Sequence, residues 1–269
     1  MKLLGLSILS ANFIKRVYLL TVLVAAGRTS QAQSDWLSWN TITVSSDLTK
    51  SWKASIGHSR IYKINNQFNN SFNQSQFSIT YQLSKKWSLQ TGAQITTAPD
   101  APDVKKRVYL RLALNNKLFK VLTLTNSIRA EYNTFEETRF RERVILATRL
   151  AMRKRLHFLK IQPSISYSLY YNIGGNSIKY FDKSAVVVAQ HSPDGFHRGR
   201  LTLTLQSKIN KLLFLSVYYM KQEEFNLLNS STRKMNVLDP IRNRVLRPFN
   251  NFNAAGLTLE INLSPLFKI

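Results

Sequence analysis

The sequence predicts an all-β fold, an antiparallel up-and-down transmembrane β-barrel of about ten to twelve strands behind an N-terminal signal peptide. Three observations predict it. Apolar and polar residues alternate over long segments, the connections between those segments are alternately short and long, and the N-terminus carries an export signal. The clearest alternation lies between Val121 and Ile173. Leu122, Leu124, Ile128, Ala130 and Tyr132 interleave with Thr123, Thr125, Ser127, Arg129 and Glu131. Phe140, Val144, Leu146, Leu150 and Met152 stand against Arg139, Arg141, Arg143 and Arg149. Leu159, Ile161, Ile165, Tyr167, Leu169 and Tyr171 stand against Gln162, Ser164, Ser166, Ser168 and Asn172. Each run reaches the roughly 9–11 residues that a tilted strand needs to cross a bilayer. A soluble sheet shows the same period, but its polar face meets bulk water. Four arginines on one strand face suit a wet lumen surrounded by lipid.

In chain order, the first element is the signal. Lys15 and Arg16 precede the apolar run Val17–Ala26, and Ser30-Gln31-Ala32 follows as a small-x-small cleavage site. This is the anatomy of a secretory signal peptide over residues 1–32, leaving 33–269 as one barrel domain. There is no cysteine, which excludes disulfides, thiolate metal sites and a lipid-modified N-terminal cysteine. The formal charge is +24; the signal holds Lys2, Lys15, Arg16 and Arg28, so the remainder carries +20. In an exported chain this charge points away from nucleic acid. It points to outer-membrane lipid and lipopolysaccharide phosphates at the turns and loops, and to small anions inside.

The strands that follow are Asn40–Leu48, Trp52–Ile61, Phe72–Leu83, Trp87–Thr97, Val104–Leu114, Val121–Tyr132, Thr138–Met152, Leu159–Ile173, Arg200–Ile209, Leu213–Phe225 and Gly256–Leu263. These make eleven, whereas bacterial single-chain barrels have even numbers. The parity points either to a further strand near Trp36 or to one segment that does not cross fully. Ser184–Gln190 reads as an extra strand or as a hairpin arm within a loop. Short cationic turns are expected at Thr49–Ser51, Ser84–Lys86, Asn115–Lys117, Arg153–Arg155 and Asn210–Lys211. Longer connections are expected at Lys63–Ser71, Ala98–Asp103, Gly174–Gly199 and Asn226–Asn251, as in barrels with periplasmic turns and outer loops. Trp39, Trp52, Trp87, Phe119, Phe158, Tyr171 and Phe214 are candidates for interfacial aromatic girdles. The last strand is built like those that barrel-assembly machinery recognises, although Ser264–Ile269 follows it.

The segment Arg129-Ala-Glu131-Tyr-Asn-Thr-Phe-Glu-Glu-Thr-Arg139-Phe-Arg141-Glu-Arg143, the Trp39…Trp52 hairpin and the Tyr81-Gln-Leu-Ser-Lys-Lys-Trp87 hairpin resemble the domain-of-unknown-function family 2490. That family comprises exported proteins of Bacteroidetes-type bacteria taken to be outer-membrane β-barrels. The resemblance spans roughly Trp36 to Leu263. It implies the fold and the location in the cell outer membrane, and it transfers no catalytic residue.

The candidate site is a lumen charge cluster of Arg111, Arg129, Glu131, Arg139, Arg141, Arg143, Arg149, Arg200 and Glu260. One reading is an ion-pair network that plugs a narrow barrel and fixes its register. The other is an arginine-lined constriction that prefers anions. Glu142 falls on the lipid face, either near an interface or at a slip of register. No cofactor or metal is expected, because His58, His157, His191 and His197 are isolated and lack carboxylates at ligand spacing. The sequence reads as a non-enzyme. The alternatives are an outer-membrane lipid-modifying enzyme, for which His191, Ser192, Asp194 and His197 share one loop, and a soluble periplasmic β-barrel or sandwich that binds a ligand.

Overall fold

The computed structural model describes residues 35–64, 68–99, 101–156 and 160–266. The expected signal peptide lies outside the described residues, as do His157 and Phe158. Fifteen strands are present among the described residues. Eleven form the barrel: β1 (Asp35–Asp47), β2 (Trp52–Lys63), β3 (Asn69–Gln82), β4 (Trp87–Ala98), β5 (Ala101–Leu118), β6 (Leu122–Asn133), β7 (Glu142–Met152), β8 (Ile161–Ile173), β11 (Gly195–Lys208), β12 (Leu213–Leu227) and β15 (Phe252–Asn262). Two hairpins, β9 (Ile178–Phe181) with β10 (Val187–His191) and β13 (Val237–Asp239) with β14 (Arg244–Leu246), belong to the connections.

Every predicted strand is present, and the odd count is real. Ten neighbouring pairs run antiparallel and follow the chain. The eleventh, β1 with β15, closes the barrel in parallel, from Asp35↔Phe252 to Ser45↔Asn262. With an odd number of alternating strands the first and last must point the same way, so closure leaves no other option. The barrel is antiparallel as expected at every pair but this seam. Trp36 belongs to β1 rather than to a further strand, and Ser184–Gln190 contributes an arm of the β9–β10 hairpin.

Alternation sorts the side chains as a barrel with an apolar exterior requires. Each barrel strand exposes at least one large apolar side chain: Ile42, Ile56, Phe77, Ile95, Val108, Ile128, Leu146, Tyr167, Leu205, Val217 and Leu257. Register joins them into a belt, with Ile56 beside Phe77, Ile128 beside Leu146 and Val217 beside Leu257. The interior is mostly polar and charged: Gln94, Glu131, Arg143, Asn172, Arg198, Gln222 and Glu224 are buried there. Trp52, Trp87 and Phe119 stand exposed toward the turn end; Trp36, Tyr132, Tyr171 and Tyr219 mark the other end. Two girdle candidates point inward instead, because they share parity with the polar face. Trp39 lines the lumen, and Phe214 lies under the Arg155 and Lys208 side chains.

The connections at one end span residues 48–51, 83–86, 119–121, 153–160 and 209–212. At the other end they span 64–68, 99–100, 134–141, 174–194 and 228–251. Two expected boundaries move. Asn115–Lys117 continues β5, held by Thr125 Oγ1 donating to Asn115 Oδ1 at 2.6 Å, and the turn falls at Phe119 with φ 54°. Ala98 pairs with Ala101, so that connection is short rather than long. The long connections 174–194 and 228–251 each fold into a hairpin at this end.

Two glycines let tyrosines lie flat against the inner wall. A Cβ on Gly92 would stand 2.5 Å from the Phe77 carbonyl oxygen and 2.6 Å from the Tyr109 ring. A Cβ on Gly256 would stand 2.1 Å from the Trp39 carbonyl oxygen and 2.5 Å from the Tyr218 ring. Tyr218 leaves β12, crosses β15 over Gly256 and donates its hydroxyl to that Trp39 oxygen at 2.8 Å. It ties the strand before the parallel seam to the strand after it.

Candidate functional site

Among the described residues, a larger and a smaller cavity in the lumen share no lining residue. The larger, about 690 Å³, opens at the loop end. The smaller, about 270 Å³, lies toward the turns and is lined by Thr43, Ser45, Lys53, Ser55, Thr80, Gln90, Thr258 and Glu260. The level between them falls at Gly57, Ser78, Gly92, Tyr109, Tyr218 and Gly256, where the two tyrosines lie over Gly92 and Gly256.

Two buried carboxylates organise the larger cavity. Glu131 of β6 receives Arg143 of β7 at 2.5 Å, Arg129 two residues earlier at 2.7 Å, and Arg107 of β5 at 3.5 Å. The β6–β7 register sets Glu131 opposite Arg143, and the β5–β6 register sets Arg107 opposite Asn133 on the same inner face. Glu224 of β12 receives Arg198 of β11 at 2.5 Å on Oε1 and Arg139 at 2.9 Å on Oε2, to which Asn250 N–H also donates at 2.8 Å. The Arg129 guanidinium also stacks 3.7 Å from the Tyr109 ring centre, and Arg143 lies over Phe140 and Tyr170.

Against the expected cluster, the structure brings Arg129, Glu131, Arg139, Arg143 and Arg200 to the larger cavity. Arg111 and Arg149 also face inward, nearer the turns, and Arg149 donates to Ser164 Oγ at 3.2 Å. Glu260 sits apart in the smaller cavity, 3.7 Å from Lys53. Two expectations are corrected. Arg139 and Arg141 do not share a strand face with Arg143, because β7 begins only at Glu142. Phe140 turns in and is buried, which pulls Arg139 over the mouth to Glu224 and sends Arg141 onto the exposed Phe135 ring at 3.9 Å. Glu142 keeps its register and is exposed at the loop end of β7.

Arg107, Arg198 and Glu224 escaped the sequence reading. Their signal was parity. Arg107 lies four residues before Arg111, Arg198 two before Arg200, and Glu224 two after Gln222, each on the inward face.

The loops above this cavity are tied to one another. Asp194 accepts Gly174 N–H at 2.8 Å and pairs with Arg233 at 2.9 Å; Arg247 donates to the Thr138 and Asn176 carbonyls. The Tyr180 hydroxyl donates to the Lys234 carbonyl at 3.1 Å. Burial, and then the Asp194 carboxylate, push its pKa up to about 12, so the donor keeps its proton at any physiological pH. The histidine loop is built into this scaffold. His197 is fully buried, with Nδ1 3.2 Å from the Phe225 carbonyl and Nε2 2.9 Å from Asn229 Nδ2. His191 Nδ1 lies 3.1 Å from the Ser192 carbonyl, and the Ser192 hydroxyl donates to the Gly174 carbonyl at 2.6 Å.

A family model described as "Protein of unknown function (DUF2490)" matches residues 36–232. The match runs from β1 into the loop after β12. No curated protein matches the chain.

Proposed function

The chain belongs to the DUF2490 family, and from that premise and its closed barrel we propose an outer-membrane protein whose lumen receives small anions from the loop end, as a narrow anion-preferring pore. The observation that carries this reading is the pairing of a continuous apolar exterior with an arginine-lined cavity of about 690 Å³. Apolar belts of this extent are not left in water by soluble monomers. In the lumen, five arginines pair with Glu131 and Glu224, while among the described residues Arg111, Arg149 and Arg200 have no acid within ion-pair distance. Fixed cationic rings of this kind favour anions. An alternative, a plugged structural barrel, draws on the tyrosine level that separates the two cavities.

The membrane reading has a direct check. Leu110 is exposed midway along β5. Leu110→Arg should cost about 2–4 kcal/mol when the protein folds into vesicles, the range for a cation at the midplane of a barrel's lipid face. On a water-facing surface the same change stays within about 0.5 kcal/mol. The pore reading is tested by conductance of the refolded protein in a planar bilayer under a salt gradient. Small anion-selective steps are expected, with selectivity lowered by Arg111→Ala or Arg149→Ala and unchanged by Arg141→Ala. Silence from folded, inserted protein would leave the plugged barrel.

A further inference from the structure

The larger cavity has two unlike walls. Arg107, Arg129, Arg143, Arg139 and Arg198 stand on one side, each engaged by Glu131 or Glu224. The other side presents Leu37, Trp39, Phe72 and Phe252 to the cavity, backed by the buried Ile61, Met220 and Ala254. Trp39 and Phe72 meet edge to face at 5.6 Å and both line the cavity. A lumen that passed only hydrated inorganic ions has no use for such a wall. Apolar side chains turned into a polar interior lower the affinity of the path for small ions.

Arg200 stands where the walls meet. Its guanidinium lies 5.5 Å from the Tyr170 ring, 5.8 Å from Trp39 and 5.9 Å from Phe252. It donates to Gln222 Oε1 at 2.7 Å, and its Nε is buried with no hydrogen-bond partner among the described residues. Among the described residues no carboxylate lies within ion-pair distance of it, unlike the arginines across the cavity. A cavity-lining guanidinium that forms no ion pair among the described residues, flanked by aromatic faces, is suited to hold a carboxylate whose remainder rests on those faces.

We propose that the larger cavity binds organic carboxylates with an apolar body, the carboxylate on Arg200 and the body against Trp39, Phe72 and Phe252. The proposal deepens the anion-preferring reading and rests on it for access from the loop end. The volume of about 690 Å³ falls in the roughly 300–1,000 Å³ range of sites for small organic ligands. Lys63, Asp103 and Lys105, at the loop ends of β2 and β5, line its mouth.

The test uses the full barrel in lipid nanodiscs, titrated with 1-naphthoate, its neutral counterpart 1-naphthalenemethanol, and acetate, by calorimetry. Saturable binding of 1-naphthoate is expected, at least tenfold tighter than acetate and tenfold tighter than the neutral alcohol after subtraction of partitioning into empty nanodiscs. Arg200→Gln should remove the preference over the alcohol; Trp39→Ala should remove the preference over acetate. Arg200→Lys keeps the charge without the fork and should retain part of the first preference, and a heat-modifiable gel band confirms that each variant is folded. Equal binding of acid and alcohol, or of naphthoate and acetate, overturns the proposal. Conductance separates the two readings. Anion-selective steps with no naphthoate binding sink the carboxylate site and spare the pore; naphthoate binding with a silent bilayer does the reverse.

Discussion

Replacing Glu131 by glutamine is expected to destabilise the barrel by about 3–5 kcal/mol, the cost of leaving a buried charge without its partner. Glu131 is 4% exposed and holds three guanidiniums, of which Arg143 is itself 5% exposed. Glutamine keeps the shape and loses the charge, so Arg107, Arg129 and the buried Arg143 face one another without the carboxylate that joined them. Denaturant unfolding of the refolded protein in micelles, followed by tryptophan fluorescence, reads the effect as a lower midpoint with an unchanged slope. Adding Arg143→Met to Glu131→Gln should recover part of the loss, because an apolar side chain of similar volume removes the orphaned charge. If the single variant matches the unaltered protein, the network is not what holds β5, β6 and β7 in register.

The larger effect is expected at a residue without a side chain. Gly256→Ala would set a methyl group 2.1 Å from the Trp39 carbonyl oxygen and 2.5 Å from the Tyr218 ring. The oxygen is backbone of the neighbouring strand and can withdraw only if β1 leaves β15. The barrel is then open along its parallel seam, with two unpaired strand edges in place of none. Loss of more than about 4 kcal/mol is expected, in the class of severe overpacking, seen as a missing heat-modifiable band on a denaturing gel. Tyr218→Phe separates steric closure from the hydrogen bond. It keeps the ring over Gly256, removes only the hydroxyl donated to Trp39, and should cost about 1 kcal/mol. If Gly256→Ala folds with the mobility of the unaltered protein, the seam has slack that the present packing lacks.

Period-two alternation was enough to place all eleven barrel strands, since one face of each meets an apolar exterior and the other a polar lumen. The sequence reading stopped at the parity, because no local feature of Asp35–Asp47 or Phe252–Asn262 announces that they pair with each other. Contacts between strands far apart in the chain depend on closure. The same reason hid Glu224 as the partner of Arg139 and Arg198, residues 85 and 26 positions away. Trp39 and Phe214 were misplaced for another reason. Aromatic residues near strand ends were read by type, whereas their side is fixed by parity with neighbours such as Thr41 and Ser216. The loop arginines were legible as charge but not as position, because Arg139 and Arg141 lie two residues apart on a stretch that Phe140 draws out of strand geometry.

The odd strand number also decides how this polypeptide can be rearranged. In a barrel with an even count, the first and last strands finish at the same rim, and a short linker can join them so that new ends are cut elsewhere. Here Asp35 opens β1 at the loop rim and Asn262 closes β15 at the turn rim. An eleven-residue strand rises about 3.3 Å per residue, so those rims stand about 35 Å apart along the wall. A circular permutant would need a linker threaded through the lumen or laid along the outside. Tags fused to the two ends of the barrel would report from its opposite rims.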